Sequence, residues 1–180
     1  MMIFAALIAG MLTGGNAQAA AFDVSDVATH GDWQTATLSR ETTDTQERHF
    51  RAVETASYSD ASLSVNATAG VCDMPWLEMR VALKGEKQTA ALVPARVRVD
   101  DKTLHTPVAE FFTQPENDGF YAHFYLHHPG ELFDEMREGE QLFLGFEQKG
   151  KAPWYMIFQL DGAGAAMNQA LARCRRASGV

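Results

Sequence analysis

The sequence predicts an all-β fold, an antiparallel β-sandwich with a short C-terminal α-helix. Three observations carry this reading. Several stretches alternate apolar and polar residues with period two, as half-buried strands do. Polar or Gly/Pro-containing segments punctuate them. The period changes once, after Leu160, to that of a helix. No repeat, low-complexity tract or long linker divides the 180-residue chain, so residues 20–180 read as a single β-sandwich domain.

The first nineteen residues read as a signal peptide. Ile3 to Leu12 form an apolar run too short to cross a bilayer as a helix of about 20 residues. Ala17-Gln18-Ala19 then fits the small-x-small pattern of a cleavage site, although no Lys or Arg precedes the run. No cysteine follows directly, which argues against a lipoprotein, and no second long apolar stretch occurs. The expected location is therefore periplasmic or secreted, with no transmembrane segment in the mature chain.

Trp33–Leu38 is the first expected strand, followed by a polar loop at Ser39–Gln46 and a second strand at His49–Val53. In ASLSVNA, Leu63 and Val65 point inward and Ser62, Ser64 and Asn66 outward. WLEMRVAL places Leu77, Met79, Val81 and Leu83 on one face, with Glu78 and Arg80 on the other. VPARVRV sets Val93, Ala95, Val97 and Val99 against Arg96 and Arg98. Pro94 has no N–H for a ladder and belongs at a sheet edge or bulge. Phe120–His127, Leu142–Phe146 and Trp154–Leu160 complete the strands. The closing run DGAGAAMNQALARC lines up Ala163, Met167, Ala170, Leu171 and Cys174 on one helical stripe, with Asp161 as the expected N-cap. Arg173, Arg175 and Arg176 near its end complement the helix dipole.

The two cysteines, Cys72 and Cys174, read as one disulfide in an oxidising compartment, the alternative being two separate buried thiols. The presumed signal contains no charged side chain, so the net charge of −8 belongs to the mature chain. Such a balance excludes a nucleic-acid partner, which needs a basic surface to displace counterions, and permits a cationic protein.

HFYLHHPGELFDE, residues 123–135, packs histidines and acids together. On a helix His123 and His127 could share zinc. The aromatic run GFYAHFYLHH reads instead as a strand ending at the Pro129-Gly130 turn. Four residues then span about 13 Å, too far for a common ion bound at about 2 Å, so no metal site is assigned. Strand parity turns Phe120, Ala122, Phe124 and Leu126 inward and leaves Tyr121, His123, Tyr125 and His127 as a stripe on the other face. Rings with polar tips suit recognition, and this stripe is the candidate binding site. Histidines titrating near about pH 6.5 would charge it as pH falls. ELFDEMREGE reads as a short helix or loop. No serine stands in a GxSxG elbow and no glycine-rich phosphate loop occurs, so no catalytic residue and no cofactor are assigned.

Several motifs resemble those of the invasion-associated locus B group of bacterial envelope proteins. They are the early Trp33, Val97-Arg98-Val99-Asp100, Gly139-Glu140-Gln141-Leu142, and Phe158-Gln159-Leu160-Asp161-Gly162 leading into a small-residue helix. The terminal Ala172-Arg173-Cys174 is also similar to the VasI-like periplasmic proteins of type VI secretion clusters. The resemblance implies a noncatalytic envelope protein whose partner is another protein or an envelope component. Inhibition of a cationic hydrolase and an envelope hydrolase activity are the alternatives.

Overall fold

The computed structural model describes residues 22–42, 44–82, 90–113, 119–147, 150 and 152–179. The proposed signal peptide and Leu83 lie outside these residues. Ten strands form one antiparallel sheet, and two helices complete the fold. The first five strands are sequential neighbours: β1 (Asp23–His30), β2 (Trp33–Glu41), β3 (Gln46–Glu54), β4 (Ala61–Thr68) and β5 (Trp76–Ala82). Next come β6 (Ala91–Val99), β7 (Val108–Thr113) and β8 (Gly119–Tyr125), then helix α1 (Pro129–Glu138), β9 (Gln141–Phe146), β10 (Trp154–Gln159) and helix α2 (Ala163–Ala177). Their order in space is β1-β2-β3-β4-β5-β8-β7-β6-β9-β10.

The sandwich arises because β6 belongs to both halves. Ala91–Pro94 pairs with β7, and Ala95–Val99 pairs with β9. Pro94 sits at this handover, where its missing N–H leaves no gap in either ladder, while its carbonyl accepts from the Glu147 N–H at 3.3 Å. Along β6 the alternation is realised in full. Val93, Ala95, Val97 and Val99 are buried, and Arg96 and Arg98 are exposed. Leu63, Leu77 and Met79 face this half across the core, which Leu142, Leu144, Phe146 and Phe158 fill from the other side.

The free edge of β10 is closed by the β3–β4 loop. The Ile157 and Gln159 N–H groups donate to the Tyr58 hydroxyl (2.9 Å) and to Ser57 Oγ (3.0 Å). Trp33, fully buried on β2, donates its indole N–H to the Gln159 carbonyl at 2.9 Å. An edge satisfied this way offers little template for a foreign strand.

The helix α2 lies over the inner face of β2 and β3 and presents the expected stripe: Ala163, Met167, Ala170, Leu171 and Cys174 are all buried. Cys174 bonds to Cys72, with Cα atoms 5.8 Å apart. Three local expectations change. Asp161 is not the N-cap: Gly162 is, with φ of 86° and no side-chain cap bond. The chain must turn there because Gly162 passes under the β1–β2 turn, where a Cβ would stand 1.8 Å from the His30 carbonyl oxygen. Asp161 instead offers its own carbonyl to the Asp32 N–H at 3.0 Å. The polar loop is also shorter than the segment 39–46, because β2 runs to Glu41 and β3 starts at Gln46, with Arg40 paired to Glu47. Finally, the last strand before α1 stops at Tyr125, so His127 lies beyond it.

Candidate functional site

The site is built on the outer face of the large half-sheet. Phe120, Ala122 and Phe124 of β8 are buried in the core, which turns Tyr121, His123 and Tyr125 to the opposite face. Because β8 lies between β5 and β7, Tyr121 and His123 have cross-strand neighbours on both sides, whereas Tyr125 pairs with Val108 of β7. His123 sits between Glu78 and Glu110, and Tyr121 between Arg80 and Phe112.

The four stripe residues have different environments. Tyr121 is buried, its ring stacked on Phe112 with centroids 5.3 Å apart. His123 is half-buried. Tyr125 is 51% exposed, and its hydroxyl donates to the Glu110 carboxylate. That bond holds the phenol above its ordinary pKa. His127 is exposed past the strand end, in the wall of a cavity of about 200 Å³ that also holds His105, His128 and Glu131. His105 is engaged there with Glu135 at 3.1 Å. Among the described residues, no three His, Cys, Asp or Glu side chains stand together as a metal-binding group.

Two rings join the stripe from other strands of the same half-sheet. His49 of β3, Trp76 of β5, and His123 and Tyr125 of β8 form a continuous row, with successive centroids 5.9, 6.4 and 4.9 Å apart. Phe22 extends it at 5.3 Å from His49, under the Arg40 guanidinium, which sits 4.5 Å from the ring centroid. The His49 ring is fixed at both nitrogens, by Thr68 Oγ1 and by Glu47 Oε1, each at 2.8 Å. Glu47 is held below the usual carboxylate range, first by the hydrogen bond from Arg40 and then by that from His49. Nothing local in the sequence ties His49 or Trp76 to the stripe. The signal available was parity alone, since Trp76 alternates with Leu77 as Glu78 does.

Beneath the row, Ser64 and Asn66 point outward as their parity requires, yet both are buried. Arg51 covers them, donating to Asn66 Oδ1 at 2.6 Å and pairing with Glu78 at 3.2 Å, while the Asn66 amide donates to Ser64 Oγ at 3.0 Å. This network gives the rings a polar, internally satisfied foundation. Burial pushes the His123 imidazole below its ordinary pKa, outweighing the nearby Glu78 and Glu110 carboxylates, which pull it up. The stripe therefore gains charge at His123 only at lower pH than an unperturbed histidine would. Chemically, the face offers aromatic contact area with hydrogen-bonding tips, held in place by ion pairs.

The chain matches no family model and no curated protein. Among solved structures it resembles invasion associated protein B from Bartonella henselae, with a TM-score of 0.51 and 18% identity, over 83% of this chain and 98% of that one. At that identity the likeness speaks for the fold.

Proposed function

We propose that the chain is an exported, noncatalytic binding or accessory protein of the bacterial envelope that docks a protein or envelope component on the outer face of β3, β5 and β8. The observation that carries the reading is the ring row from His49 to Tyr125, which crosses several strands on a face the core does not need. Rings of this kind supply interface area at low entropic cost, and tyrosine and tryptophan dominate binding hot spots. The likeness to an invasion associated protein supports an accessory role in the envelope. The Cys72–Cys174 disulfide supports export, together with the apolar run and Ala17-Gln18-Ala19. No helix among the described residues is long and apolar enough to cross a membrane.

The test uses partner capture from a periplasmic extract, followed by affinity measurements with variants. Tyr125→Ala should weaken the captured partner by about 1 kcal/mol or more with the melting temperature unchanged. Tyr121→Ala should instead lower the melting temperature, since a buried ring is lost at a cost of about 3 kcal/mol. Normal binding by Tyr125→Ala would remove the row from the interface. Export is checked by mass spectrometry of the periplasmic fraction: the expected N-terminus lies near Ala20, and an intact Met1 in the cytosol would exclude it.

A further inference from the structure

The inner face of the sheet carries a second polar constellation, under the C-terminal half of α2. An open cavity of about 370 Å³ is lined there by Asp26, Thr37, Phe50, Arg173, Arg176 and Ala177. We propose that it is a binding site for an oxyanion of the phosphate class, gripped by Arg173 and Arg176 with the Thr37 hydroxyl as a neutral donor.

Helical geometry places Arg173 and Arg176, three residues apart, on the same side of α2. Arg173 is pre-oriented, because its guanidinium donates to the Asp26 carbonyl and to Thr35 Oγ1 (3.3 Å). The Arg176 side chain has no hydrogen-bond or ion-pair partner among the described residues. A third guanidinium, Arg48 of β3, is anchored at the same end of the helix by the Ala177 carbonyl at 3.4 Å. None of the three is in an ion pair with a described carboxylate, an unusual concentration of unpaired cations in a chain of net charge −8. Thr37 is 6% exposed, and its Oγ1 is buried without a partner. A buried hydroxyl left unsatisfied is penalised unless a ligand completes it. Asp26 is the one acid in the lining. Its carboxylate accepts from Ser25 Oγ at 3.3 Å, and its φ of 53° marks the bulge where β1 departs from β2 between Ser25 and Ala28, at the rim of the cavity. Donors are supplied from a helix, by Arg173 and Arg176, and from the sheet, by Thr37. The volume leaves room for the organic part of a phosphoester.

The experiment is calorimetric titration of the purified protein with inorganic phosphate in a phosphate-free buffer. One saturable site is expected. Arg176→Gln should weaken it at least about tenfold through loss of a charge-assisted contact. Thr37→Val should weaken it several-fold while the melting temperature stays equal or rises, because the free protein loses no hydrogen bond. A hydroxyl with a purely structural role would not produce that split. Flotation with phosphatidylglycerol vesicles, with phosphate as competitor, separates the two sources: competed binding to vesicles assigns a lipid head group, and phosphate binding without flotation assigns a soluble ligand. Absence of saturable binding in the millimolar range, or binding unchanged in both variants (an adventitious ion only), would overturn the proposal. So would a preference for glutamate over phosphate.

Discussion

Glu54 is a carboxylate placed where the alternation of β3 calls for an apolar side chain. It follows Phe50 and Ala52 on the inner face, is fully buried, and pairs across the sheet with Trp33 and Leu63. One oxygen accepts three bonds from the β3–β4 loop: the Ala56 N–H (3.0 Å), the Ser57 N–H (2.7 Å) and the Ser57 hydroxyl (2.9 Å). The other oxygen is buried without a partner among the described residues. Burial raises the pKa above the ordinary value, the three hydrogen bonds oppose that rise, and the Asp32 charge adds to it. A folded pKa above the unfolded one means the contribution to stability is complete below the unfolded pKa and is lost as pH rises through the folded pKa. Glu54→Gln keeps the acceptor for the loop amides and removes the charge. Urea midpoints measured at acid and at mildly alkaline pH should show the variant gaining on the wild type as pH rises. A constant gap between the two would mean that Glu54 does not ionise differently in the folded state. The same loop holds Ser57 and Tyr58 against β10, so this carboxylate also organises the closure of the sandwich edge.

At the level of elements, Gly162 and Gly164 are the points at which α2 meets its neighbours. Gly162 lies outside the helix in a left-handed conformation beneath His30, and a Cβ on Gly164 would stand 2.8 Å from the Arg137 carbonyl oxygen of α1. Gly162→Ala combines a left-handed alanine, about 1–2 kcal/mol, with a clash against backbone that cannot move aside. We expect a loss of at least about 2 kcal/mol in chemical denaturation, while Ala165→Ser, on the exposed side of the same helix, should be close to neutral. The regular alternation of β6, and the switch of period at α2, were legible because each buries one face and leaves the other in water. β1 was not, since it is exposed on nearly its whole length and broken by a bulge. β7 escaped notice as well: VAEFFT is six residues long and puts Phe111 inward and Phe112 outward, which blurs the period. For the candidate site, parity correctly placed Tyr121, His123 and Tyr125 on one face. Their exposure was not legible, because Tyr121 is covered by Phe112 of β7, a strand the alternation does not reveal. Likewise Trp76, and through it His49, joins the row because β5 pairs with β8 rather than with its successor β6.

For the molecule as a whole, the disulfide is the constraint that ties these parts into one cooperative unit. It joins the segment after β4 to the last turns of α2, across a sequence separation of 102 residues that includes β5 to β10 and α1. Closing a loop of that length removes denatured-state entropy equivalent to about 4–5 kcal/mol in the chain-entropy model. The covered surface matters too. The same α2 that Cys174 anchors shields the inner face of β2 and β3, including Phe50 and Ala52, from water. Breaking the bond should therefore act in two ways that can be read separately. The urea midpoint of Cys72→Ser/Cys174→Ser should fall, by up to the loop-closure figure. Hydrogen exchange in the variant should accelerate first in the last turns of α2 and in β2 and β3, while β5 and β8, which lie farther from α2 in the sheet, remain the slowest. Uniform acceleration across all strands would indicate that the bond acts only on the unfolded chain. An unchanged midpoint would mean that packing of the α2 stripe alone holds the helix down, and the disulfide would then add nothing to stability.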